Sequence, residues 1–284
     1  MLDGVHELSR EDYDNLSERV NWSKLKWLFK SPAHYRHALL SKQEDTDAMR
    51  LGRVVHLAAF EPERFRSSIA VWDGGVRRGK DWEQFKSRHE REGHELLTEN
   101  QYETCMDIQA AVRAHPLAMK YIQGGVGERS VLWTYKSPAF EGLPGYSTEI
   151  KSRLDFISSM AICDLKTTAD ASPAKFLRQL LSMHYHTQAA IYSDGYAAAS
   201  GVRLPYFIVA TEVTAPHVTQ VYRISERLLM KGRDEYRGLL DTLAVCRRES
   251  RWLGYGDDVI ELDLPDSDEA ASDFGLEIGA SDAA

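Results

Sequence analysis

Residues 151–168 read KSRLDFISSMAICDLKTT. Two runs of strand-forming residues, 146–157 and 161–168, flank Ser159-Met160, so the stretch predicts a β-hairpin. A two-residue turn there sets Asp155 opposite Asp164 and Arg153 opposite Lys166. Side chains alternate along a strand, so these four charges gather on one face. Leu154, Phe156, Cys163 and Leu165 are left for the core. A slip of one residue would separate the two sets.

Opposed carboxylates repel and destabilise a sheet unless something offsets them. A hard divalent cation bound through oxygen suits the position, Mg²⁺ first, with Mn²⁺ as a substitute. Such an ion neutralises both acids, draws in phosphate oxygens and can activate water. Lys166 would then orient the attacking water or stabilise charge at the phosphate. The same charges also fit a solvated salt-bridge ladder, and spacing alone does not separate the two readings.

The surrounding chain narrows the function classes. Its 284 residues carry a formal net charge of −8, which at first argues against nucleic acid. Residues 255–284, however, hold ten acidic side chains and no Lys or Arg, leaving 35 basic and 33 acidic groups in residues 1–254. The acidity belongs to an expected flexible tail, 255–284, and the near-neutral body, 1–254, can still present a basic surface. Three widely spaced cysteines, Cys105, Cys163 and Cys246, fit a reduced cytoplasm and rule out a four-cysteine zinc or iron–sulfur site. No apolar run approaches a membrane span, the first residues do not read as a secretory signal, and no phosphate loop for ATP is present.

Helical patterns cover 22–42, with Ser31-Pro32 as a cap and first-turn proline, then 46–60 and most of 81–118. Strands follow at 130–135, 146–157 and 161–168. A helix over 173–200, broken near His184–His186, leads to a hairpin of 206–213 and 217–224 and a last helix over 225–248. This order predicts an α/β core behind a helical N-terminal part. His184 and His186 form a His-x-His pair without a Cys/His partner at zinc spacing, so they read as helix-break or DNA-facing residues. Gly74-Gly75 with Arg77, Arg78 and Lys80 could touch phosphates, or be a solvated loop.

Three motifs in order carry a resemblance. Asp155 with Asp164-Leu-Lys166 resembles the PD-(D/E)XK nuclease core. Gly52-Arg-Val-Val-His56 and Gln188-Ala-Ala-Ile-Tyr192 resemble the helix motifs before and after it in RecB-like nucleases. Ser31-Pro-Ala-His-Tyr35, Glu61-Pro-Glu-Arg-Phe65, Lys151-Ser-Arg-Leu-Asp155 and Tyr185-His-Thr-Gln188 are similar to phage and prophage exonucleases of the exonuclease VIII (RecE) type, over about residues 20–225. The resemblance implies a restriction-endonuclease-like α/β core: a central mixed sheet flanked by helices. It implies metal ligation by His56, Asp155, Asp164, the Leu165 carbonyl and Glu128. Lys166 is the implied catalytic lysine, supported by Gln188 and Tyr192. Ser31, Arg153 and, from the basic loop, Arg77, Arg78 and Lys80 are the expected DNA-side residues.

The implied activity is ATP-independent 5′–3′ resection of linear duplex DNA, for phage-type recombination by single-strand annealing. Implied partners are DNA ends, an annealing protein and further copies in a trimeric or tetrameric ring, in the cytoplasm of a host cell if phage-encoded. Two alternatives stay open: an endonuclease or repair nuclease of RecB-like type, many of which carry the four-cysteine cluster this chain lacks, and a non-catalytic DNA-end-binding module.

Overall fold

The computed structural model describes residues 2–41, 46–139, 144–256 and 259–261. The expected acidic tail lies outside the described residues apart from Tyr255, Gly256 and 259–261, which are exposed. The helices are α1 (Arg10–Asn15), α2 (Trp22–Leu25), α3 (Pro32–Leu40), α4 (Asp47–Phe60), α5 (Pro62–Ser68), α6 (Lys80–Arg91), α7 (Glu99–Ala114), α8 (Pro116–Ile122), α9 (Pro173–Ser182), α10 (Tyr185–Ser200) and α11 (Glu226–Glu249). The strands are β1 (Gly4–His6), β2 (Ile69–Trp72), β3 (Glu95–Thr98), β4 (Val126–Ser137), β5 (Tyr146–Ile157), β6 (Ile162–Thr168), β7 (Tyr206–Glu212) and β8 (Thr219–Arg223). Among the described residues no helix is long and apolar enough to cross a membrane.

Six strands form one sheet in the order β1-β4-β5-β6-β7-β8. Only the β6–β7 pairing is parallel, bridged by α9 and α10, so the sheet is mixed as expected. The runs ICDLKTT and YFIVATE explain that central position: β6 and β7 are almost continuously buried, as strands covered on both faces must be. One face packs on α9, α10 and α11 through Phe176, Leu180, Ile191, Tyr236 and Leu240. The other packs on α4, α7 and α8 through Val55, Ala58, Ile108, Val112 and Ile122.

Helix starts follow local chemistry. Ser31 caps α3, with Pro32 in the first turn, and Ser225 caps α11. The break expected near His184–His186 falls at His184, which takes a left-handed φ of 54° between α9 and α10.

The largely helical reading of 81–118 holds for α6, α7 and the start of α8, with one interruption. Between α6 and α7 lies β3, which pairs in parallel with β2 in a separate two-stranded sheet. β1, on the edge of the main sheet, also carries no alternating pattern long enough to read.

Candidate active site

β5 and β6 pair only at Phe156↔Cys163 and Ile157↔Ile162. That is the register of the two-residue turn, closed by Ser158 N–H donating to the Ala161 carbonyl at 2.9 Å. Beyond Cys163 no further β5–β6 pair forms. On its other side, β5 pairs Gly127↔Phe156 and Arg129↔Leu154 with β4, but Glu128 between them has no registered partner and a φ of 45°. Side-chain alternation along β5 breaks there. Leu154 packs into the core beside α10, whereas Phe156 packs beside α4 with Cys163 and Leu165. The four apolar residues are all buried, as expected, but not against one face.

The break opens a slot in which Asp155 substitutes for the missing ladder. Its Oδ2 accepts the Leu165 N–H at 3.1 Å. In an extended strand a residue's N–H and C=O point to the same side, so the Leu165 carbonyl faces this slot as well. His56, from α4, brings Nδ1 to 3.1 Å from Asp155 Oδ2. Phe60, one turn on, stacks on Phe156 with centroids 5.1 Å apart and anchors that end of α4 to the hairpin. Lys166 Nζ lies 2.6 Å from Asp164 Oδ2 and 4.9 Å from the centroid of the Tyr185 ring. Asp155, Asp164, Lys166 and His56 therefore form one interacting group.

Arg153 is not part of it. The expected fourth charge is instead drawn 2.6 Å from Glu128, with its guanidinium 5.7 Å from the Tyr13 ring. Alternation put Arg153 beside Lys166, but the break at Asp155 turns it away, and Glu128 gives it an opposite charge there. Glu128 also pairs with Arg64 at 3.2 Å. The implied upstream acid thus sits between two arginines.

The electrostatics follow from crowding charges in a buried space. Burial pushes the Asp164 carboxyl up to about 7, with Lys166 resisting and Asp155 reinforcing the rise. Burial also opposes charge on Asp155, yet His56 and Lys166 hold it well below the usual carboxylate range. His56 is raised, because the Asp155 charge outweighs burial of the imidazole. Lys166 is raised as well, against burial, by Asp164 and Asp155. Two neighbouring carboxyls with such opposite shifts titrate as a pair.

A divalent cation fits these donors. Asp164 Oδ1 is buried and has no hydrogen-bond partner among the described residues. A bare carboxylate oxygen next to a second carboxylate is costly to bury and is the natural ligand of a hard cation. His56 uses Nδ1 towards Asp155, leaving only Nε2 for a metal.

Gln188 and Tyr192 lie one turn apart on the same face of α10. Burial, then the charges of Tyr13, Asp155 and Asp164, hold the Tyr192 phenol well above its ordinary value, so it stays a neutral donor beside the acids. Ser31 is buried; its hydroxyl accepts from the His34 backbone N–H and lies 2.7 Å from His34 Nδ1. Arg77 donates to Gln101 Oε1 at 2.9 Å and to the Leu96 carbonyl at 3.2 Å, pinning β3, while Arg78 and Lys80 are exposed. His186 is buried beside Glu235 on α11 at 3.0 Å, so it does not face DNA. Gly52, one turn before His56, faces open space: an added Cβ would meet nothing within 4 Å.

Sequence reasoning passed over Tyr185, the ring under Lys166, and Arg64, the second partner of Glu128, although both lie inside quoted motifs. It also missed a cleft of about 450 Å³ lined by Arg10, Arg53, Arg64, Glu95 and Glu128, because its residues come from five separate elements, α1, α4, α5, β3 and β4.

A family model described as a PDDEXK-like domain of unknown function (DUF3799) matches residues 21–259. The chain belongs to this family. The PDDEXK-like match spans every residue of the group at Asp155 and Asp164. A solved Eubacterium rectale structure described as a candidate exonuclease is 18% identical, over 94% of this chain and 99% of that one, with a TM-score of 0.60. It bears out the fold of the PDDEXK-like chain. The solved structure of SSO0001 is 15% identical over 76% of this chain and 83% of its own, with a TM-score of 0.28, too distant to carry weight. No curated protein matches the sequence.

Proposed function

We propose that this PDDEXK-like protein is a metal-dependent deoxyribonuclease, an exonuclease that degrades linear duplex DNA from its ends without ATP. The observation that carries this reading is the Asp155–Asp164–Lys166 group with its unpartnered Asp164 Oδ1.

Asp155, Asp164 and the Leu165 carbonyl would hold the cation, Mg²⁺ or Mn²⁺, with His56 alongside. A bound divalent ion supplies positive charge for the scissile phosphate and makes water a better nucleophile. The chain's own residues do the rest. The Asp155–His56 contact and the Leu165 N–H fix the Asp155 carboxylate in place. Lys166, held between Asp164 and the Tyr185 ring, orients the attacking water and stabilises the added charge on the phosphate. Gln188 and Tyr192 form a neutral polar wall of the site. Arg10, Arg53 and Arg64 offer phosphate contacts along the adjoining cleft.

The resemblance to exonuclease VIII adds 5′–3′ polarity, a trimeric or tetrameric ring, an annealing partner and a cytoplasmic place of action. One assay tests the reading. Linear and covalently closed duplexes are incubated with Mg²⁺, with and without a 5′ phosphate. Loss of the linear duplex alone is expected. Cutting of the closed circle would point to an endonuclease; retention of DNA without any cutting would point to a binding module.

A further inference from the structure

His89, Glu92 and His94 form a second cluster with no residue in common with the site at Asp155. His89 lies in the last turn of α6, Glu92 caps that helix, and Gly93 takes a left-handed φ of 77°. That reversal lets the His94 N–H donate to the His89 carbonyl at 2.9 Å, folding His94 back beside His89. His89 Nδ1 is then 3.1 Å from His94 Nδ1 and 3.0 Å from Glu92 Oε2, and His94 Nδ1 is 3.5 Å from the same oxygen.

These spacings match a coordination shell. Metal–nitrogen and metal–oxygen bonds to zinc place tetrahedral ligand atoms about 3.3 Å apart. Hydrogen bonds alone do not account for the triangle: with either one ring proton or two, one of its contacts sets two lone pairs or two N–H groups against each other. Nearby groups leave the three atoms available. Arg88 reaches the other Glu92 oxygen, Oε1, at 3.5 Å, and the Phe85 ring covers His89 at 4.5 Å. His94 also borders an open cleft of about 500 Å³, lined in addition by Trp82, Lys86 and Glu90, which gives an ion a way in.

We propose that His89 Nδ1, Glu92 Oε2 and His94 Nδ1 bind a borderline-soft divalent transition metal, Zn²⁺ by preference, as a site separate from the Mg²⁺ centre. Two imidazoles and one carboxylate suit zinc, whereas Mg²⁺ prefers an all-oxygen shell. Three protein ligands leave the fourth position to water or an external oxygen. The ion staples the α6–β3 turn. A second trio, His184, His186 and Glu235, is a weaker candidate, because Lys231 and Thr187 already hold the Glu235 carboxylate.

The test is a competition titration of the full, chelator-stripped chain with Zn²⁺ in excess Mg²⁺, beside His89→Gln, His94→Gln, His186→Gln and Asp164→Asn. Wild type, His186→Gln and Asp164→Asn should bind one tight equivalent that the His89 and His94 variants lose, with affinity lower by about 100-fold or more, since even an outer-shell change costs 10–100-fold. Mg²⁺-dependent DNA cleavage by His94→Gln should stay at the wild-type level, which keeps this result separate from the nuclease reading. Equal zinc stoichiometry in wild type and His94→Gln overturns the site. If the variants do not fold, imidazole nitrogen resonances of the wild type decide: Zn²⁺ should shift Nδ1 of His89 and His94, and unshifted signals overturn the proposal.

Discussion

Under the proposed function Lys166 is the residue whose replacement tests the chemistry most directly, because its ammonium is the sole cationic group within ion-pair distance of Asp164 among the described residues. Lys166→Ala should lower kcat by about 10²–10⁴, the usual worth of a general acid–base or electrostatic group, while DNA binding in Ca²⁺ persists. Single-turnover cleavage beside a binding titration checks this; a loss confined to binding would assign Lys166 to substrate capture. Gly52 makes an opposite kind of prediction. A Cβ added there meets nothing within 4 Å, so Gly52→Ala should stabilise α4 by about 0.5–1 kcal/mol. If thermal stability rises while cleavage falls, the open space before Gly52 is where substrate lies. At this scale the sequence was most legible: hairpin spacing brought Asp155, Asp164 and Lys166 together, and the resemblance added His56, which the structure sets against Asp155. The partners of Arg153 were not legible, since they depend on a break in β5 alternation that no spacing rule encodes.

Among elements, α10 carries Gln188 and Tyr192 and is fastened to α11 by several contacts, two of them of opposite kinds. Gly232 of α11 lies under the His186 carbonyl, where a Cβ would come within 2.5 Å of the backbone oxygen. Gly232→Ala should cost about 1–3 kcal/mol by overpacking, despite alanine's better helix propensity; denaturant unfolding measures it, and an unchanged midpoint would mean that the helices separate freely. The second fastening is polar. Glu235 accepts from the Thr187 hydroxyl and lies 2.7 Å from Lys231 and 3.0 Å from His186. Burial opposes its charge, but Lys231, Thr187 and His186 pull the carboxyl down to about 2. A folded value below the unfolded one stabilises above the unfolded pKa and is lost as pH falls towards the folded value. Glu235→Gln should therefore cost about 1–3 kcal/mol at pH 6–7, with the gap closing between about pH 5 and pH 2. A gap independent of pH would refute the ionic fastening. Long amphipathic helices and the paired runs of β5 to β8 were readable from periodicity. Short β1, β2 and β3 were not, because three or four residues complete too few alternations, and their pairing is set by the helices around them.

At the scale of the molecule, charge decides how substrate is met. The formal charge of −8 is concentrated in 255–284, and the remaining body is near neutral, so on the proposed function attraction to DNA must be local. The basic residues picked from the sequence were Arg153, which pairs with Glu128, and Arg77, Arg78 and Lys80, of which Arg77 serves the β3 packing. The cleft at Glu128 instead collects Arg10, Arg53 and Arg64 from α1, α4 and α5. Composition within a segment could not show this, since each arginine stands alone in its own stretch and only the fold assembles them. Three fully neutralised phosphates would make the logarithm of the binding constant fall with the logarithm of salt with a slope of about −2.7, a loss of about 40-fold between 50 and 200 mM salt; ion pairs to Asp14, Glu95, Glu61 and Glu128 make the expected slope shallower than that limit. Arg64→Ala should reduce the slope by less than one full phosphate, because Glu61 and Glu128 already offset part of its charge. Titrations of a catalytically inactive Asp164→Asn chain on linear duplex DNA measure both slopes. A salt-independent affinity, or an identical slope with Arg64→Ala, would place the DNA path on another face of the sheet.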